Sequence, residues 1–313
     1  MPDMDGRTVV VTGANTGLGY EASEAFARAG ATVVLACRSD ERGAEARRRI
    51  ERDVPDADLD VRGLDLSSLD SVAAFADSFR DEYAALDVLC NNAGVMAVPY
   101  QETADGFELQ FGVNHLGHFA LTGHLLDALD AADGTARVVT QSSGLHERGR
   151  VDADALRETG AADGERAYDK WDAYGRSKLA NVLFGYELQR RFEQGGTDAL
   201  SVVCHPGYAD TDLQRRGPEQ AGSTLRLYMM KVANAVFAQS AEQGAWPMLY
   251  AATSETITGG EYVGPGGLLN MRGAPDLQRS SDRSYDPDVA AALWSLSEDL
   301  TGVTYDLATP AEA

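Results

Sequence analysis

Lysine is nearly absent from this chain: only Lys170, Lys178 and Lys231 occur in 313 residues, against 24 arginines. Cysteine is scarce as well. Cys37, Cys90 and Cys204 each end an apolar run, the usual setting of a small buried thiol. An odd number of thiols, with no CxxC and no His/Cys cluster, argues against a disulfide framework and a zinc site. The histidines, His115, His118, His124, His146 and His205, show no metal-ligand spacing, so no metal is expected. Long apolar runs are missing: stretches such as 31–37 fall far short of the roughly 18 residues of a membrane span. Met1-Pro2-Asp3-Met4-Asp5 lacks the basic and apolar regions of a secretory leader. A cytoplasmic protein without a membrane span is the expectation.

Positive charge is the other shortage. Asp and Glu number 49 against 27 Lys and Arg, for a net charge of -22. Phosphate neutralisation needs a basic patch, so nucleic acid is excluded as a partner, and an anionic membrane surface with it. A GC-rich genome also favours Arg, Ala, Gly and Asp. The excess of Asp and poverty of Lys point instead to a surface adapted to salt, where screening removes self-repulsion. The melting temperature is then expected to rise from low salt to molar KCl; a flat response contradicts this. Disorder is excluded, since 44% of residues are hydrophobic and only 24% charged.

Apolar β-branched runs at 8–12, 32–36, 59–63, 86–90, 136–140 and 200–204 alternate with helical patterns at 18–29, 40–53, 68–83, 107–129 and 173–192. Continuous hydrophobic strands between helices predict a parallel sheet covered on both faces. The fold class is α/β, a doubly wound (Rossmann) sheet in three α/β/α layers, expected as one domain over 1–313. A substrate-side insert near 145–170 and a lid-like segment near 208–239 follow strand ends, where open α/β sheets bind ligands. A tail, 269–313, carries an amphipathic helix at 288–300 with Leu293, Trp294 and Leu296.

Thr12-Gly13-Ala14-Asn15-Thr16-Gly17-Leu18-Gly19 joins the first strand to the first helix. Gly13 allows the sharp bend, Gly17 lets a pyrophosphate approach, and Gly19 lets helix and sheet pack closely. The free N–H groups and dipole of the helix N-terminus suit the phosphates. The second strand ends Ala36-Cys37-Arg38. A carboxylate at that end would hold a ribose 2′-hydroxyl. Here Cys37 stands in its place, and Arg38, assisted by Arg42, suits a 2′-phosphate. NADP (NADPH) is therefore expected rather than NAD. Asp65 and Leu66 either flank the adenine or, for Asp65, cap the next helix.

Tyr174-Gly175-Arg176-Ser177-Lys178 puts Tyr174 and Lys178 one helical turn apart on one face. A nearby ammonium stabilises phenolate, so the Tyr174 pKa is expected to fall toward neutrality. Lys178 is one of few lysines kept by an arginine-rich chain; a compact ammonium can reach ribose hydroxyls and relay a proton where arginine would not.

These residues resemble the short-chain dehydrogenases/reductases. The turn Thr12 to Gly19, Asn91-Asn92-Ala93-Gly94, Asn114, Ser143, the Tyr174/Lys178 pair and Pro206-Gly207 stand in the family's order, and the resemblance runs over about 7–262. Ala36-Cys37-Arg38, the insert before Tyr174, the run Ser177 to Asn181, His205-Pro206-Gly207 and the tail from Trp294 to Gly302 are similar to its retinol-dehydrogenase-like branch. The resemblance implies hydride transfer between NADP and a small lipophilic carbonyl or alcohol. Tyr174 would be acid/base, Ser143 would hold the reacting oxygen, Lys178 would bind the nicotinamide ribose, and Asn114 would anchor a relay water. Family alignment favours Ser143 over its neighbour Ser142. Asn91, Asn92, Ala93 and Gly94 would pass behind the adenosine ribose; Pro206 and Gly207 would abut the nicotinamide, with Thr211 by its carboxamide. Homodimers or homotetramers through the helices carrying Asn114 and Tyr174 are also implied, with insert and tail leaving the choice open. A silent NADP sensor, and reduction of a tetrapyrrole C=C bond, are the alternatives. His146 follows Ser143 closely enough to touch substrate.

Overall fold

A computed structural model of the protein describes residues 1–159, 161, 168–207, 240–267 and 270–307. The lid-like segment 208–239, with Thr211 and Lys231, lies outside the described residues, as do most of 160–167 and the last residues of the tail.

Eight strands form one sheet in the order β3-β2-β1-β4-β5-β6-β7-β8. They are β1 (Thr8–Thr12), β2 (Thr32–Cys37), β3 (Leu59–Gly63), β4 (Val88–Asn91), β5 (Arg137–Gln141), β6 (Leu200–Cys204), β7 (Tyr262–Pro265) and β8 (Pro275–Gln278). The first seven run parallel; β8 pairs antiparallel with β7, Val263 opposite Leu277. The parallel sheet expected from the sequence thus gains an antiparallel edge strand.

Strand order reverses beside β1, whose neighbours are β2 and β4, and there the crevice of a doubly wound sheet opens. On one face α1 (Gly17–Arg28) and α2 (Asp40–Asp53) pack Tyr20, Phe26 and Ile50 against Val9, Val11, Val33 and Leu35. On the other, α3 (Leu69–Glu82) brings Val72, Phe75 and Phe79 onto Val10, Val34 and Leu89. Ser39 and Ser68 cap α2 and α3, accepting from Arg42 N and Ser71 N.

The expected helix 107–129 runs from Leu109 to Asp130, with a π turn inside it and one interruption at Leu125. It comprises α4 (Leu109–Phe111), a π turn (Gly112–Leu116), α5 (Gly117–His124) and α6 (Leu126–Asp130). A side chain at Gly112 would overlap Thr103, while the Asn114 amide is pulled to the Val95 backbone. One extra residue in the turn accommodates both, as π turns at functional sites do.

After α7 (Ala153–Glu158), α8 (Lys170–Gly195) crosses the sheet, and α9 (Ala241–Thr253) closes the opposite face. The tail helix α10 (Pro287–Thr301) starts at Asp286, whose carboxylate accepts from Asp288 N and Val289 N at 3.0 and 3.2 Å. Its Trp294 meets Phe119 of α5 and Phe184 of α8 at ring separations of 5.1 and 5.8 Å, and Leu293 and Leu296 join Phe111, Leu116 and Leu183. The chain's own tail thus covers apolar surface on the helices carrying Asn114 and Tyr174, the surface that the resemblance assigns to subunit contacts.

Candidate active site

A cleft of about 1220 Å³ runs along the carboxyl ends of the strands. That exceeds the few hundred to about 1,000 Å³ of a typical small-ligand pocket, leaving room for a dinucleotide and a second molecule. Thr12, Gly13, Asn15, Thr16, Gly17, Leu18 and Gly19 line it, with Arg38, Arg42, Asp65, Leu66, Asn92, Ala93, Gly94, Ser143, Tyr174, Lys178, Pro206 and Gly207. Nearly every expected site residue is therefore assembled in one place.

The glycine turn is clamped to the end of β4. Asn92 Nδ2 donates to Thr12 O at 2.7 Å, and the N–H groups of Asn92 and Ala93 donate to Thr12 Oγ1 at 2.9 Å. A Cβ at Gly19 would overlap Gly13 O and crowd the Asn92 amide, which is why this position takes glycine. At the entry to α1, Thr16 makes no capping hydrogen bond and the first turn contains no acid. Its N–H groups and positive dipole end are left to an anion. These features fit a dinucleotide pyrophosphate.

Cys37 is buried, its thiol held beside the Ala14 and Asn15 N–H groups and pushed up to about 12 by burial. It occupies the strand end as an inert, neutral group, while Arg38 extends into the cleft rim beside Ser39, Glu41 and Arg42. Asp65 leaves the capping of α3 to Ser68. It lines the cleft, and its carboxylate accepts from Ser67 N at 3.0 Å and Ser67 Oγ at 2.6 Å. Asn114, fully buried, does not line the cleft, and neither does Asn91. Its side chain turns away from the cleft and donates to Thr122 Oγ1 at 2.9 Å, because successive strand residues face opposite sides of the sheet. Its side chain serves packing against α5, which leaves the backbone of Asn91 to the expected cofactor contact.

The reacting end is built on α8. Asp169 caps it, accepting from Trp171 N and Asp172 N at 2.8 and 3.0 Å. Trp171, Tyr174 and Lys178 then share the face that looks into the cleft. Ser143 lies beside the Tyr174 side chain and favours its ionised form. Ser142 does not compete for that place: its hydroxyl is buried and donates to Lys178 O at 2.8 Å. Lys178 Nζ donates to Gln141 O at 3.0 Å and lies 5.8 Å from the centre of the Tyr174 ring. Asn114 Nδ2 donates to Val95 O and Ser177 Oγ, both at 2.9 Å, while its Oδ1 accepts from Val95 N at 2.8 Å.

The electrostatics depart from the sequence expectation. Burial pushes the Tyr174 hydroxyl up to about 12, against the lowering influence of Ser143, and drives the Lys178 ammonium down to about 8. Desolvation outweighs mutual attraction. Tyr174 is a phenol at neutral pH, the protonated form a proton donor needs.

Residues the sequence did not single out complete the lining: Val95, Met96, Ala97, Leu109 and Val113 from the segment around α4, and Tyr262, Asn270, Met271, Gln278 and Arg279 from the last hairpin. His146 also lines the cleft, but both its ring nitrogens are engaged: Nδ1 with Ser143 O at 2.8 Å and Nε2 with Ser281 N at 3.0 Å. Burial lowers its pKa and keeps it neutral. It anchors the Ser143 loop. The described residues contain no group of three or more His, Cys, Asp or Glu able to hold a metal, and no helix long and apolar enough to cross a membrane.

Residues 7–153 match the family described as short chain dehydrogenase. Human retinol dehydrogenase 14 is 38% identical over 318 residues, covering 96% of this chain and 88% of that protein. Among solved structures, an uncharacterised protein from Mycobacterium paratuberculosis is 41% identical with a TM-score of 0.79, covering 98% of this chain and 97% of that one. A short chain dehydrogenase from Shigella flexneri 2a complexed with NADP shares the fold at 21% identity and a TM-score of 0.62, covering 84% of this chain and 98% of that one.

Proposed function

This chain belongs to the short-chain dehydrogenase/reductase family, in its retinol-dehydrogenase-like branch, and from that premise we propose that it interconverts a carbonyl and a primary or secondary alcohol on a lipophilic substrate, with NADP as hydride partner and Tyr174 as acid/base. The observation that carries this reading is one continuous cleft with Arg38 at its adenosine end and the Ser143–Tyr174 pair at its apolar end. The Shigella flexneri neighbour, complexed with NADP, adds support for the cofactor.

NADPH, when bound, would supply the hydride. Arg38 would hold the 2′-phosphate, the entry to α1 the pyrophosphate, and Lys178 the nicotinamide ribose. Ser143 Oγ donates to the carbonyl oxygen and stabilises negative charge as it develops there. Tyr174 delivers its proton to that oxygen, leaving an alcohol, and in the reverse direction takes it back. Asn114 borders Lys178 and begins the path that returns the proton to solvent. Val95, Met96, Leu145, Trp171 and Met271 provide the apolar wall that selects a lipophilic substrate and keeps water from the reacting atoms. Cytoplasmic location and salt adaptation belong to the same proposal.

The test is NADPH oxidation at its near-ultraviolet absorbance band with a panel of aldehydes and ketones graded from small and polar to long-chain, retinoid and steroid. Turnover is expected to favour large apolar carbonyls, and NADPH over NADH. Tight NADPH binding with no turnover across the panel would leave a silent sensor instead.

A further inference from the structure

We propose that His118 is a positioning residue that holds the cofactor turn at Thr12 and the main-chain carbonyl of Asn114 in one hydrogen-bonded chain. His118 lies on α5 and is 1% exposed, out of reach of substrate. Its Nδ1 is 3.1 Å from Asn114 O, and its Nε2 is 2.9 Å from Thr12 Oγ1.

The direction of each bond follows from donor and acceptor chemistry. A carbonyl only accepts, so Nδ1 carries the proton and donates to Asn114 O. Burial, with the Lys178 ammonium nearby, lowers the His118 pKa to about 4 and keeps the ring neutral. Nε2 is therefore an acceptor, and the Thr12 hydroxyl must donate to it. The competing acceptor, Cys90 O, is farther away at 3.2 Å. The Thr12 oxygen is left with two lone pairs, and these receive the N–H groups of Asn92 and Ala93. Every partner is satisfied in one arrangement only: Asn92 and Ala93 to Thr12, Thr12 to His118, His118 to Asn114.

This chain joins parts the sequence holds far apart. Thr12 ends β1 and opens the glycine turn; Asn92 and Ala93 border the adenosine side; Asn114 sits in the π turn. The Asn114 side chain gives both its N–H groups to Val95 and Ser177 and accepts from Val95 N, while His118 fixes its main-chain carbonyl. An imidazole spans the two sites because its nitrogens point in different directions, one to each. An apolar side chain of similar volume would pack equally well yet orient neither.

The consequence for the relay rests on the oxidoreductase reading above; the consequence for the turn does not. Three variants of the full chain separate them. His118→Gln carries its amide to the position of Nε2 and keeps the Thr12 bond. His118→Asn reaches only the position of Nδ1 and keeps the Asn114 bond. His118→Leu keeps neither. NADPH affinity by fluorescence titration and kcat with the best carbonyl are read beside the melting temperature of each. Losing one buried hydrogen bond is expected to change the matching parameter about tenfold. Gln should hold wild-type Kd and lose kcat, Asn should hold kcat and lose Kd, and Leu should lose both. Gln and Asn variants that each lose Kd and kcat alike, or a Leu variant that shifts only the melting temperature, overturn the proposal. If the wild type turns over no carbonyl, the oxidoreductase reading falls; Gln binding NADPH more tightly than Asn still upholds the Thr12 link, and equal affinities overturn it.

Discussion

The Lys178 ammonium stands 5.8 Å from the centre of the Tyr174 ring and donates to the Gln141 carbonyl at 3.0 Å. Both side chains are buried, so each is pushed toward its neutral form: the phenol upward to about 12, the amine downward to about 8. The pair is thus set for proton donation at neutral pH, and the lysine, not the tyrosine, titrates nearest the working range.

Carbonyl reduction should therefore lose efficiency on the alkaline side. Below about pH 8 Lys178 is an ammonium; above it the charge that holds ribose and supports the departing proton is lost, while Tyr174 stays protonated. The expected kcat/KM profile for reduction is level near neutrality and falls through pH 8, reporting the free enzyme's groups. A profile level to pH 10 contradicts the role given to Lys178.

The role proposed for Arg38 predicts a cofactor preference. Arg38→Ala should weaken NADPH binding about ten- to a hundredfold, the range for a charge-assisted hydrogen bond, and leave NADH binding unchanged. Isothermal titration with both nucleotides decides it. Equal losses for the two would mean that Arg38 touches something other than the 2′-phosphate.

Two buried histidines should make the fold acid-sensitive. His115 and His118 are held down to about 3 and 4 by burial. A depressed imidazole pKa means that below pH 6.5 the unfolded chain binds protons the folded chain refuses. Stability is thus full above about pH 6.5 and is lost as pH falls toward those values. His115→Leu removes one such group and leaves the carboxylates as they were. Across pH 6 to 5 the wild type should lose about 1.4 kcal/mol more than this variant in urea unfolding; parallel curves contradict the burial argument.

What the sequence made legible was local. The turn from Thr12 to Gly19 and the pair Tyr174/Lys178 depend on spacing within one turn or one helix, and both stand in the cleft as expected. Arg38 was readable for a similar reason, being fixed one residue past a strand end. The direction of the Asn91 side chain was not legible, because motif membership hides the alternation of strand faces. The Tyr174 pKa was misjudged because burial is a property of the whole fold, not of a four-residue spacing. The choice between Ser142 and Ser143 needed the Lys178 carbonyl, 36 residues from Ser142 along the chain. The π turn, the reversed strand β8, the lining from Met271 to Arg279 and the packing of Trp294 on Phe119 all arise from contacts between distant segments, which no periodicity records.

The central claim is that Tyr174 delivers the proton in an NADPH-dependent carbonyl reduction, and Tyr174→Phe tests it most directly. The substitution removes one hydroxyl and keeps the ring in place. With the best substrate of the panel, kcat should fall by about 10²- to 10⁴-fold, the contribution of a positioned general acid, while NADPH affinity and melting temperature stay near wild type. A Tyr174→Phe enzyme that reduces the same carbonyl at the wild-type rate would contradict the account.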